Sequence, residues 1–363
     1  MTEGIVLSMI VKDEAHVIER VLASVRPHIQ AWAICDTGSS DDTCARIRKA
    51  LAGVPGTLLE RPWVDFAHNR NEALAAARGH GSHALVIDAD EELVAPTGLP
   101  RLDNGVDLYW LLQRATGAPD MSKPRIVRND GTRLYRGVLH EAIEYGADDR
   151  HLDVDPTHCH VRVHPDGGRS QGLDQRAKYL RDAATLEAAL KREPDNLRYV
   201  YYLGMSYLYA GDSERARFWL RRRARASGGF AGESYDAWMQ LGALAEGAGR
   251  PRAAQAAYRQ AARRAPFRAD PLVALSRLAL AADELSIAYA LAMRALEPPL
   301  PQDGMFVDAA LYRTGRQSQF VECALRAGDQ GRAARWLQQW LKQPDLSAQE
   351  RAAFQSLLRR AET

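Results

Sequence analysis

Two carboxylates one residue apart, Asp88 and Asp90, directly follow the short apolar run Ala84–Ile87. Alternate residues of an extended chain point the same way, so both acids fall on one side. Hard oxygen ligands a few ångströms apart suit Mg2+ or Mn2+, which in turn suit a diphosphate. Two more polar clusters also follow apolar runs: Lys12-Asp13-Glu14 after Ile5–Val11, and the stretch from Asp36 to Asp42 after Ala31–Cys35. Near residue 160 the chain carries His158, Cys159, His160 and His164. A zinc site is disfavoured there, because such sites add a second cluster at CxxC or helical spacing.

These residues must be held by the elements around them. Apolar runs alternate with amphipathic stretches: strands at Ile5–Val11, Ala31–Cys35, Gly56–Glu60 and Ala84–Ile87, with helices at Ala15–Val25, Thr43–Leu51 and Ala67–Ala77. That alternation predicts βα units in a mostly parallel sheet. Ligands of open α/β sheets collect at the carboxyl ends of strands, so the three acidic clusters converge on one edge, where a metal and a polar ligand are expected.

From about Gly172 the pattern turns to helices alone, rich in Ala, Leu and Arg. Trp238, Leu241-Gly242, Gly249, Ala254, Tyr258, Ala261 and Pro266 occupy the spacing of a tetratricopeptide repeat (TPR). Leu203-Gly204, Tyr207, Gly211, Ala216 and Leu220 form a preceding copy, Leu275-Ser276, Ala288 and Ala295 a third, and Gly328, Ala333, Leu337 and Trp340 a degenerate fourth. Small residues stand where two helices cross closely, and large ones fill the groove between pairs. The expected organisation is an α/β domain over 1–168 and an all-α repeat domain over 169–363.

Length agrees, since 363 residues make about two or three domains. A hydrophobic fraction of 46% and a charged fraction of 26% exclude disorder and a disulfide scaffold. Four cysteines without CxxC spacing fit a reducing cytoplasm. The opening residues read as a buried strand and not a signal peptide, and no apolar run reaches the length of a spanning helix. Net charge is +2, but residues 1–165 hold 18 Lys and Arg against 24 Asp and Glu, while residues 166–363 hold 30 against 22. The basic half, with Arg221–Arg225, Arg263-Arg264 and Arg359-Arg360, suggests an acidic partner: an anionic glycan, an acidic peptide or nucleic acid. No aromatic-interleaved basic stripe appears, so nucleic acid is not required.

Residues 5–92 resemble family-2 glycosyltransferases of the GT-A, Rossmann-like fold. Ser8-Met-Ile-Val-Lys-Asp-Glu14 looks like their first strand and turn, and Ala33-Ile-Cys-Asp36-Thr-Gly-Ser-Ser-Asp-Asp-Thr43 like their nucleotide-binding segment. Trp63-Val-Asp65 through Arg70-Asn71, and Val86-Ile-Asp88-Ala-Asp90, resemble the Arg-Asn helix and DxD motif of the subgroup with C-terminal TPR repeats. The resemblance implies that Lys12, Glu14, Asp36, Asp65, Arg70 and Asp88 line a nucleotide-sugar pocket, UDP being the expected nucleotide. It implies Asp90 as a ligand of Mn2+ or Mg2+, with His158 or His160, then His140, completing the set. The stretch ending in His140-Glu141 resembles the family's His-Glu pair, which makes Glu141 the expected general base, since a neutral acceptor hydroxyl needs one.

The expectation is therefore a metal-dependent inverting glycosyltransferase whose basic TPR groove selects an acidic or peptide acceptor, a peptide or protein side chain being favoured. The alternative is a TPR interaction scaffold with an inactive transferase domain. A nucleotidyltransferase is disfavoured, because Val11-Lys-Asp-Glu-Ala15 stands where a Gly-rich phosphate loop would be.

Overall fold

The structure, a computed structural model, describes residues 4–115, 120–167, 174–301, 306–344 and 346–362. The chain divides into the compact units Met1–Pro194 and Asp195–Thr363. The boundary expected at 168/169 lies outside the described residues.

In the first unit, β1 (Ile5–Val11) is flanked in parallel by β2 (Ala31–Asp36) and β4 (His83–Val86), and β3 (Gly56–Glu60) extends the sheet beyond β2. Alternation along β1 sends its side chains to two layers. Ile5, Leu7, Met9 and Val11 pack with Ile18, Val21, Leu22 and Val25 of α1 (Ile18–Val25) and with Ile47 of α2 (Thr43–Ala50). Val6 packs on the other face with Ala67, Leu74 and Ala77 of α3 (Phe66–Ala77). Each fully buried Leu or Ile contributes about 1.5–3 kcal/mol, so the two layers fix the register of the strands. At the edge, Gly56 pairs with Trp32, and a Cβ on that glycine would lie 2.3 Å from the indole.

Beyond β4 the sheet is mixed, not mostly parallel as expected. It continues through β7 (Met121–Arg128), β6 (Leu108–Ala115), β11 (His160–Val163) and β5 (Glu91–Val94), with β10 (His151–Asp153) beside β6. The pairs β4–β7, β6–β7 and β5–β11 are antiparallel. Antiparallel neighbours need no helical crossover, and residues 95–165 supply none among those described. The register of β6 against β7 slips at Tyr109/Trp110, beside Pro124, which has no N–H for the ladder. A two-stranded ribbon, β8 (Tyr135–Arg136) with β9 (Ala142–Ile143), stands apart. Helix α4 (Gln175–Arg192) belongs to this unit, its N-terminus capped by Asp174.

The second unit consists of helix pairs at the expected repeat positions: α5 (Leu197–Tyr209) with α6 (Ser213–Arg225), α7 (Ala231–Gly247) with α8 (Pro251–Arg264), and α9 (Asp270–Ala281) with α10 (Leu285–Ala295). The fourth pair is α11 (Arg316–Arg326) with α12 (Gln330–Trp340), and α13 (Ala348–Glu362) follows. Glycine serves close crossing twice: a Cβ on Gly204 would lie 2.9 Å from Leu220, and one on Gly242 would lie 2.3 Å from Tyr258. The turns within pairs use the left-handed region at Gly211, Gly249 and Gly328. In the third repeat Asp283 takes that position at φ 59°, with its carboxylate on Arg326 at 2.8 Å. No helix among the described residues is long and apolar enough to cross a membrane.

Candidate functional site

Parallel pairing does bring the ends of β1, β2 and β4 to one edge, but the clusters there bind mainly each other. Asp36 is buried and closes its own turn, accepting from the Gly38 and Ser39 amides and from Ser39 Oγ at 2.5 Å. Asp13 Oδ1 ties the neighbouring loop through the Ser40 amide at 2.7 Å. The Glu14 amide donates to Thr43 Oγ1, and Lys12 is exposed. Asp65 caps α3 by accepting from the His68 amide at 2.8 Å, a contact of about 1 kcal/mol.

Arg70 is the centre of the cluster. Projecting from the buried face of α3, it donates to Asp88 and to Glu141, both at 2.7 Å, with the Tyr135 ring 5.5 Å away. Burial works against the Asp88 carboxylate, but Arg70 and then Arg125 hold it below the usual range. Glu141 is thus one jaw of a clamp on a guanidinium. Glu91 is a buried residue of β5 paired with Arg125, and it accepts the Asp88 amide at 2.9 Å. Lys123 lies nearby, its ammonium pushed down by burial and then by Arg125. Glu91, Lys123 and Arg125 went unseen in the sequence because they sit on short strands whose partners are remote in the chain.

Asp90 stands outside these pairs. Burial, then the Asp88 carboxylate, with Glu14 and Asp166 further off, push its carboxyl up to about 6. Such a group stabilises the fold while protonated and loses that contribution as pH rises through the folded value. Asp90→Asn should therefore be more stable than wild type by about 1–2 kcal/mol near pH 7.5, a figure discounted for partial exposure, and equal to it near pH 4. Thermal melts at the two pH values check this; equal melting at both would refute it.

The expected histidines are not gathered around Asp90. Only His160–Val163 is strand, so His158 lies in the preceding turn, exposed, and does not share a strand face with His160. His160 Nδ1 is 3.0 Å from the Pro156 carbonyl oxygen. His140 is exposed at φ 54°. It is His164 that meets the Asp90 strand end, donating its amide to the Asp90 carbonyl at 2.9 Å, with Nε2 3.1 Å from Glu92. Among the described residues no group of three or more His, Cys, Asp or Glu side chains could hold a metal ion, so the ligand set expected around Asp90 is not assembled.

The second unit offers an open groove. Tyr235, Asp236, Met239 and Gln240 of α7 line a pocket of about 320 Å³, closed by residues of α9 and by Phe306 and Asp308. Gln240 also lines a second pocket of about 460 Å³, which continues along α7 past Ala243, Leu244 and Gly247. The spacing of these residues makes one helical stripe. The arginines expected to make this groove basic line neither pocket, although Arg268 lies behind the wall of the first, against Tyr235 and Asp270. Arg223 is buried against Glu233 and Arg268 against Asp270, while Arg221, Arg222, Arg225, Arg259 and Arg263 are exposed and line neither pocket. Arg326, Arg332 and Arg360 pair with Asp283, Asp329 and Glu322. The signal that could have exposed the groove was polar Asp236 and Gln240 at positions where a repeat helix turns inward.

No family model matches the chain. Over 233 residues it is 34% identical to a TPR repeat-containing protein of Synechococcus elongatus, covering 60% of this chain and 55% of that protein. The chain thus spans about half the length of this curated relative. Among solved structures it is similar to the MamA protein, with a TM-score of 0.38 and 15% identity over 47% of this chain and 89% of that one. It is also similar to a thermophilic TPR protein of Thermus thermophilus, with a TM-score of 0.33 and 20% identity over 50% of this chain and 91% of that one.

These findings overturn the expected metal-dependent inverting glycosyltransferase and its nucleotide-sugar donor. The curated relative is a repeat protein and no transferase family is matched. The expected general base, Glu141, is bound to Arg70, and Asp36, expected to line the nucleotide-sugar pocket, closes its own turn. The helix pairs of the second unit, with their glycine crossings and left-handed turns, agree with the chain's similarity to a TPR repeat-containing protein. The second unit is an array of helix pairs with glycine crossings and turns at the spacing of tetratricopeptide repeats.

Proposed function

We propose that the chain is an interaction scaffold whose repeat array holds an extended segment of a partner polypeptide along α7. The observation that supports this best is the stripe from Tyr235 to Gly247 facing two adjoining pockets that share Gln240. An extended chain needs an open trough lined by both apolar and hydrogen-bonding groups, and Met239, Leu244 and Gln240 supply them there. No catalytic step is assigned to the first unit. Its residues Arg70, Asp88 and Glu141 act in this reading as a charge clamp joining α3, the end of β4 and the β8–β9 ribbon.

The test is an array of short unstructured peptides probed with the full chain. Saturable binding is expected, and Ala243→Trp, which fills the trough from an exposed position, should weaken it at least tenfold. Binding that ignores Ala243→Trp, or no binding at all, overturns the proposal.

A further inference from the structure

The repeat half is basic, yet the trough inside it is not. Four charged side chains line the α7–α9 pocket: Asp236, Asp270, Asp308 and Arg277. Two are already neutralised within the chain. Asp270 accepts from Arg268 at 3.4 Å and from the Tyr312 hydroxyl at 2.8 Å, and Arg277 meets Glu246 at 2.5 Å. The other two have no ion pair among the described residues. Asp236 receives only neutral donors, the Tyr201 hydroxyl at 2.6 Å and the Gln240 amide at 3.2 Å. Asp308 Oδ1 accepts the Leu311 amide at 3.1 Å. Asp236 is 7% exposed, and burial pushes its carboxyl up against the pull of the Tyr201 and Gln240 hydrogen bonds and of the Arg268 charge, so a further cation beside it would stabilise the carboxylate.

The aromatic wall points the same way. Tyr235 already carries the Arg268 guanidinium 4.8 Å from its ring centroid, and Phe306 stands 5.7 Å from the Tyr201 ring that supports Asp236. A planar cation between carboxylates and aromatic rings gains both ionic and cation–π contacts. Past Gln240 the second pocket turns apolar at Leu208, Ala243 and Leu244, its Glu214 and Arg217 lying 3.9 Å apart.

We propose, resting on the scaffold reading above, that the partner segment is basic: an Arg or Lys side chain enters the pocket between Asp236 and Asp308, and an apolar side chain fills the neighbouring pocket. Eight residues of α7 separate Asp236 from Leu244, a rise of about 12 Å. An extended chain covers that distance in roughly four residues. The preferred motif is thus a cationic residue with a large apolar residue about four positions away. This reverses the sign of partner expected from the charge of the repeat half.

The experiment measures fluorescence anisotropy of labelled peptides carrying Arg and, four residues on, Leu, against otherwise identical peptides with citrulline in place of Arg. Citrulline keeps the shape and removes the charge. With the full chain, the Arg peptide should bind about tenfold more tightly than the citrulline peptide, and more so at low salt. Asp236→Asn should abolish that preference, and Asp308→Asn, at an exposed position, should reduce it. If Asp236→Asn does not fold, Asp308→Asn carries the test. Equal affinity of the wild-type chain for both peptides overturns the basic partner but leaves the scaffold standing. Failure of every peptide to bind overturns the scaffold itself.

Discussion

Glu233→Gln should lower the unfolding free energy by about 3 kcal/mol, the typical cost of removing one partner from a buried ion pair. Arg223 is fully buried and its side chain has two described acceptors, Glu233 at 3.2 Å and the Phe230 carbonyl. Burial pushes the Glu233 carboxyl above the usual range against the pull of Arg198 and Arg223, so the pair pays heavily for desolvation. It follows that Arg223→Met with Glu233→Leu should recover most of the loss, because the double change leaves no unpaired charge inside. Arg198 is a third exposed and can turn to water. Urea unfolding of the wild type, Arg223→Met, Glu233→Leu and the double variant closes the cycle; additive losses would show that the two residues act separately.

Arg70→Met is the second large effect. It strands Asp88 and Glu141, which lose a guanidinium 2.7 Å away, and it removes the cation above Tyr135. A loss of about 2–4 kcal/mol is expected, or a drop in Tm on the order of 6–12 °C for a unit of this size. Arg70→Lys should recover only part, since one ammonium cannot fork to two carboxylates as a guanidinium does. An unchanged melting temperature in Arg70→Met would remove the clamp from the account.

Much of the fold was legible because its signals are local. β1 and β3 have the expected bounds, and α3 starts one residue earlier than expected, at Phe66 behind its Asp65 cap. The repeats were legible because Gly204, Gly242 and the turn glycines are steric requirements visible at fixed spacing. Residues 91–163 were not, since strands of two to eight residues with antiparallel partners carry little periodicity of their own. The site failed for a different reason. Residue types at strand ends report which groups meet, but Asp36, Arg70 and Glu141 show that groups which meet can satisfy one another. Charge failed likewise: the surplus of Arg in the repeat half is real, yet the pocket between α7 and α9 is lined by Asp236, Asp270 and Asp308 against Arg277.

The two ends of the nine-stranded sheet bear on how the molecule behaves in a crowd. An open strand edge offers unpaired amides and carbonyls to any passing chain. Here β3 has five residues and starts at a glycine shielded by Trp32, while β5 has four and carries Glu92 bound to Arg162 and His164. Short, charged, partly covered edges make poor templates for cross-β growth. The chain is thereby kept from recruiting copies of itself through its sheet, and it should remain dispersed at concentrations where a longer apolar edge would seed fibres.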